Sequence, residues 1–334
     1  MKPITENIIE QSAIELLQSQ GWEYANGKEL SPEGLFCERE NYQQVILINR
    51  LRSAIVKINP HIPADAQEAA VQKVLRIASP VLLHNNEEFH RLLVEKVKIP
   101  YQQNGYERSH EVALIDFENT GNNQFLVVNQ YTIVENNHNK RPDVLLFVNG
   151  LPLVVIELKN AVDENASMLS AYKQLQTYKA IIPGLFTYNA ICIISDGLEC
   201  KAGSVSADFS RYMTWKTADG IKEASRFKPQ LQILLQGMLQ PATLLDLVRN
   251  FIVFEKTKRA DTKTGLIQIQ TEKKLAAYHQ YYAVNKAVQS TIRASGFALP
   301  LSGATSGWEH RSGGGLGSAY LCQYTLKFNL IYEF

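Results

Sequence analysis

The stretch RPDVLLFVNGLPLVVIELK, residues 141–159, carries two carboxylates and an ammonium, Asp143, Glu157 and Lys159, in two β-rich runs separated by Asn149-Gly150. On a strand, residues two apart point to the same side, so Glu157 and Lys159 share a face. Whether Asp143 joins them depends on the turn. A two-residue Asn149-Gly150 loop pairs Val148 with Leu151 and sets Asp143 opposite Ile156, on the wrong face. A three-residue loop pairs Val148 with Pro152 and sets Asp143 opposite Glu157, with Cβ atoms roughly 5 Å apart. An odd loop or a bulge is therefore predicted between the two runs.

Beside Val155, Ile156 and Leu146, these three groups are costly to bury unless something pairs them. One resolution is structural: Glu157 and Lys159 form an ion pair, the usual fate of a short Glu-x-Lys on a strand. The other is chemical. Asp143 and Glu157 offer hard oxygen ligands to Mg²⁺, with the Leu158 carbonyl as a backbone ligand, a sparse set suited to an ion that keeps several waters. Lys159 then orients or helps deprotonate an attacking water and offsets transition-state charge while the metal polarises a phosphate oxygen. That chemistry is phosphodiester hydrolysis.

The elements that must position these side chains are of both kinds. Ile9, Ala13, Leu16 and Leu17 make a helical stripe between Thr5 and Gly21, and a second helix is expected over 41–58, stopped by Asn59-Pro60. Further helices follow Pro63 and Asn85, so that the first 100 residues read as helical. From 111 the period becomes that of strands: EVALIDF, QFLVVNQYTIVE, RPDVLLFV and LPLVVIELK, broken by Asn/Gly-rich turns, suggest an antiparallel meander. Helix returns over 164–180, NAICIISD is of strand length, and 221–260 looks helical before the basic residues Lys256, Lys258 and Arg259. The order gives a mixed α/β fold.

Composition bounds the function. Of 334 residues 45% are hydrophobic and 20% charged, which excludes a disordered or low-complexity chain. Lys plus Arg number 34 against 33 Asp plus Glu, a net +1, so any nucleic-acid surface must be local. Cys37, Cys192, Cys200 and Cys322 form no Cys-x-x-Cys pair and read as free thiols of a reducing compartment. The start MKPITENIIEQ lacks a signal-peptide pattern and no run approaches about 18 apolar residues, so a soluble, cytoplasmic protein without a membrane partner is expected.

LIDFENTGNNQFLVVNQYTIVENNHNKRPDVLLFVNGLPLVVIELKN, residues 114–160, with TENIIEQSAIELLQSQGW upstream and AYKQLQTYK downstream, resembles the endonuclease domain of the restriction (R, motor) subunit of type I restriction-modification enzymes. The similarity covers residues 1–295. It implies a PD-(D/E)xK restriction-endonuclease-like core, a mixed sheet flanked by helices, and the Mg²⁺-dependent double-stranded DNA cleavage of a type I site-specific deoxyribonuclease. Asp143, Glu157 and Lys159 take the catalytic triplet, Glu10 matches the helical acidic residue that assists the metal or its water, and Gln174 and Tyr178 match a Gln-x3-Tyr motif on one helix face. The implied partners are DNA and the methylation and specificity subunits. A non-catalytic DNA-binding or subunit-docking module of the same fold is the alternative.

The resemblance divides the chain into an endonuclease domain with its N-terminal helical part (1–220), a helical linker (221–260) and an incomplete start of a helicase-type motor with an atypical tail (261–334). AYHQYYAV, residues 277–284, is similar to the segment that opens the motor, where an amide reads adenine, making Gln280 the candidate for ATP. No G-x4-G-K-[S/T] phosphate loop follows, and SGGGLGS has no adjacent lysine. Truncation or a change of reading frame near residue 300 is expected, with no ATP-driven translocation by this chain alone.

Overall fold

A computed structural model describes residues 5–160, 167–260 and 267–294. It divides into one unit over Met1–Leu275 and another over Ala276–Phe334. The first unit runs α1 (Glu6–Ser19), β1 (Glu23–Asn26), α2 (Ile48–Ile58), α3 (Ala64–Leu75), α4 (Leu82–Glu95), β2 (Val97–Gln103), β3 (Tyr106–Val112), β4 (Phe125–Asn129), β5 (Ile133–Glu135), β6 (His138–Lys140), β7 (Val144–Val148) and β8 (Leu151–Leu158). It continues with α5 (Met168–Ile181), α6 (Pro183–Thr187), β9 (Ile191–Ser195), β10 (Cys200–Gly203), α7 (Gln230–Met238), α8 (Pro241–Asn250), β11 (Ile252–Ala260) and β12 (Ile267–Leu275).

A six-stranded sheet of order β1-β4-β7-β8-β9-β10 organises this unit. β1 lies parallel to β4 and β8 parallel to β9, while the other neighbours are antiparallel. The sheet is thus mixed, with α1 and α5 packed against β8. Every residue of β7 and β8 is buried, so their sequences read as unbroken apolar runs and not as the alternation of a half-wet sheet. Any charge placed there is taken out of water, and Glu157 is such a charge.

Several expected elements change. The strands from 111 onward are not a simple meander: β5 and β6 leave the sheet as a separate hairpin, and β1 and β9 join it in parallel. EVALIDF pairs only through Val112, because the Asn59 side chain takes the Ala113 N–H and Asp116 opens a turn. The helix expected from 41 begins at Ile48, because Val45, Ile46 and Leu47 are buried in succession and the Leu47 N–H donates to the Gly150 carbonyl. Between 221 and 260, α7 and α8 fit the helical expectation but 252–260 is strand, paired along its length with β12. Helix covers only about half of the first hundred residues, which also hold β1, an irregular stretch over 27–47 and the start of β2.

In the second unit α9 (Tyr278–Ala294) buries Tyr281, Val284, Val288 and Ile292, one helical stripe. Cys37, Cys192 and Cys200 are free thiols. Among the described residues no single helix is long and apolar enough to cross a membrane. Cys322 and the glycine-dense tail expected from residue 300 lie outside the described residues.

Candidate active site

The β7–β8 hairpin sets the site. Its loop is the two-residue Asn149-Gly150, both with positive φ (53° and 79°), and it pairs Val148 with Leu151, not with Pro152. A Cβ on Gly150 would stand 2.4 Å from the Leu47 carbonyl oxygen, so only glycine fits. The parity is restored further along. Phe147 pairs with Pro152 but Leu146 pairs with Val154, leaving Leu153 as a bulged extra residue. From there the register runs to Val144 opposite Ile156, and one more step puts Asp143 opposite Glu157.

Asp143 Oδ2 accepts the Leu158 N–H at 2.7 Å, which pins the carboxylate against β8. Burial pushes its pKa up to about 6, against the pull of that N–H and of Lys159. The Glu157 side chain is fully buried. Its Oε1 accepts from Lys159 Nζ at 2.8 Å, and its Oε2 has no hydrogen-bond partner among the described residues. Burial first, and then the neighbouring Asp143, push Glu157 up to about 8.

Lys159 is tied to β9 by its N–H to the Ser195 carbonyl (2.8 Å). Besides Glu157, its Nζ donates to the Leu158 carbonyl (3.0 Å) and to Glu6 Oε1 (3.3 Å). Burial pulls the ammonium's pKa down, but Glu157, Asp143 and Glu6 outweigh it and hold it above the ordinary lysine value. Lys159 therefore stays charged.

Two adjacent carboxylates, one with an orphaned buried oxygen, and a carbonyl between them fit a small divalent cation: positive charge there satisfies Glu157 Oε2 and relieves the repulsion with Asp143. Among the described residues no group of three or more His, Cys, Asp or Glu side chains gathers as a metal cage. Two carboxylates with waters are what Mg²⁺ ordinarily takes.

Glu10 lies on α1, buried, with Oε1 accepting from Asn129 Nδ2 at 2.6 Å; its charge still reaches Asp143. On α5, Gln174 Nε2 donates to the Tyr178 hydroxyl (2.6 Å), which bonds the Arg141 carbonyl (3.4 Å). Burial and then Glu157 raise the Tyr178 phenol, so it remains protonated beside the acids. Asp143, Glu157, Lys159 and Tyr178 thus come together, with Glu10 and Gln174 in support. Gln280 belongs to the other unit, where its Oε1 accepts the Ala277 N–H (2.9 Å) at the start of α9, an end-capping contact. The sequence reading missed Glu6, whose i, i+4 spacing to Glu10 on α1 was the available signal.

The family described as "Type I restriction enzyme R protein N terminus" matches residues 3–211. The type I restriction enzyme HindI endonuclease subunit of Haemophilus influenzae is 44% identical over 296 residues, 87% of this chain and 27% of that protein. A protein assigned as the MjaIXP endonuclease subunit of Methanocaldococcus jannaschii is 32% identical over 305 residues, 86% of this chain and 28% of its own length. The chain spans about a quarter of the curated relatives it matches.

Proposed function

The chain belongs to the type I restriction enzyme R protein N-terminus family, and we propose that its site is a Mg²⁺-dependent PD-(D/E)xK nuclease centre that cuts double-stranded DNA. One observation carries the reading: the register of a bulged hairpin brings Asp143 and Glu157 face to face, buried, with Lys159 on the same side.

Asp143, Glu157 and the Leu158 carbonyl would hold the cation. What bound Mg²⁺ supplies is Lewis-acid polarisation of a phosphate oxygen and neutralisation of charge at the scissile linkage. The side chains do the rest. Lys159, charged at neutral pH, donates to the phosphate or to the attacking water and favours the extra negative charge of the transition state. Its contribution is to orient the attacking water or help deprotonate it, and to offset transition-state charge. Tyr178 is a neutral donor beside Glu157, kept in place by Gln174. The apolar walls of β7 and β8 exclude water and strengthen each of these interactions.

Sequence choice and assembly are assigned to methylation and specificity subunits, as in the family. The 334 residues hold no G-x4-G-K-[S/T] loop, so the role proposed for this stretch is cleavage and not ATP-driven translocation, and an adenine contact through Gln280 belongs to a longer protein. The test is nicking of supercoiled plasmid by the chain, alone and with the partner subunits, in Mg²⁺ or Mn²⁺. Asp143→Ala and Lys159→Ala should each lower cleavage by roughly 10²–10³ while folding and DNA binding persist. A folded, DNA-bound complex that cuts under no divalent-cation condition would replace the nuclease by a docking module.

A further inference from the structure

Lys159 Nζ stands 2.8 Å from Glu157 Oε1, on the carboxylate whose Oε2 was assigned above to the cation, and 3.0 Å from the Leu158 carbonyl oxygen assigned as its backbone ligand. A divalent ion there would share one carboxylate and one carbonyl with the ammonium. Both are positive, and at such separations in a dry site their repulsion is large. Metal entry therefore drives the lysine away from the shared carbonyl. Its third contact is Glu6 Oε1 at 3.3 Å, from the first turn of α1, an element independent of the hairpin. Glu6 is half-exposed while the Lys159 side chain is largely buried, so without Glu6 the displaced ammonium would face partial desolvation with no counter-charge.

We propose that Glu6 is a positioning residue: it receives the Lys159 ammonium when a divalent cation takes Glu157 and the Leu158 carbonyl, and holds it where the scissile phosphate arrives. The inference rests on the nuclease reading above. In that reading Lys159 has two seats, one on β8 in the metal-free protein and one on α1 in the loaded one, and Glu6 makes the second seat cheap to occupy. Glu10, one turn further along α1, is engaged by Asn129 and is not the acceptor.

The test is a double-mutant cycle in metal affinity, read from free Mn²⁺ by electron paramagnetic resonance at pH 8 on the whole chain. Glu6→Gln should weaken Mn²⁺ binding by roughly two- to fivefold, the scale of a half-exposed ion pair. The same substitution in a Lys159→Met background should weaken affinity clearly less, since no ammonium then needs a seat and only the charge of Glu6 beside the acids is lost. An equal weakening in both backgrounds would mean that Glu6 acts on the cation directly, and no weakening in either would mean that it does nothing; each overturns the proposal. Glu157→Gln separates this failure from that of the nuclease reading: it should abolish tight Mn²⁺ binding, and a folded wild-type chain that binds no Mn²⁺ removes the cation site and the role of Glu6 together. Glu6→Gln lies on a half-exposed first turn, and its thermal midpoint should match wild type.

Discussion

Asp143 faces Glu157 across a two-residue loop because Leu153 is left out of the ladder. With a two-residue loop and an unbroken ladder, Asp143 would face Ile156, and the acids would lie on opposite sides of the ribbon. Deleting Leu153 should convert the bulge to a regular ladder without changing which residue Asp143 faces. Cleavage should survive within about an order of magnitude, while loss of a fully buried leucine costs about 2–5 kcal/mol in urea unfolding. Inserting one alanine after Leu153 adds a second extra residue, and an unbroken ladder would then set Asp143 opposite Val155, on the right face but about 7 Å along the strand from Glu157, so cleavage should fall well below that of the deletion. Equal activity in the two variants would show that the bulge does not set the site.

That relationship was legible in the sequence as a parity problem, because Glu157 and Lys159 must share a face and Asn149-Gly150 fixes a short turn. Which residue bulges was not, since Leu151, Leu153 and Val154 are all apolar and all buried. Similar limits explain the misread elements. Val45-Ile46-Leu47 is a buried irregular run that mimics a helical stripe, and LLDLVRNFIVFEK stays apolar across Asn250, where helix gives way to strand. Glu6 was hidden for a different reason: an acid in a first turn is already accounted for by the helix dipole, and nothing local points it at a lysine on β8.

Stability of the metal-free chain should depend on pH through the two acids. Both have folded pKa values above the unfolded ones, about 6 for Asp143 and about 8 for Glu157, so the folded state binds more protons. Stability is then fully present below the unfolded carboxyl values and is lost as pH rises through the folded ones. Asp143→Asn removes its share. It should be close to neutral at pH 4 and stabilising at pH 8 by about 1–3 kcal/mol, measured by urea unfolding at both pH values. Added Mg²⁺ at pH 8 should stabilise wild type and not the variant. A flat profile for wild type would contradict the burial of the pair.

Tyr178 separates packing from chemistry. Its ring is buried and its hydroxyl connects Gln174 to the Arg141 carbonyl, two residues before Asp143. Tyr178→Phe keeps the ring, so the thermal midpoint should hold, but the donor beside Glu157 is lost and cleavage should fall by roughly 10- to 100-fold. Gln174→Ala, which only frees the hydroxyl to rotate, should cost less. Full activity in Tyr178→Phe would reduce the motif to core packing.

The β5–β6 hairpin offers the last prediction. Asn136 and Asn137 both have positive φ (50° and 63°), a rigid turn that presents Asn137, His138 and Asn139 to solvent immediately before Lys140 and Arg141. Its one carboxylate, Glu135, is turned inward to accept the Gly184 N–H at 3.0 Å, which leaves the tip without negative charge. Three residues of chain reach at most about 10 Å, so Lys140 and Arg141 lie within one or two phosphates of Asp143 on a bound duplex. Lys140→Ala and Arg141→Ala, made in a cleavage-dead Asp143→Ala background, should weaken DNA binding uniformly across sequences. Each should lower the slope of log affinity against log salt by about 1, the signature of one lost phosphate contact. An unchanged slope with unchanged affinity would place the DNA on another face of the sheet.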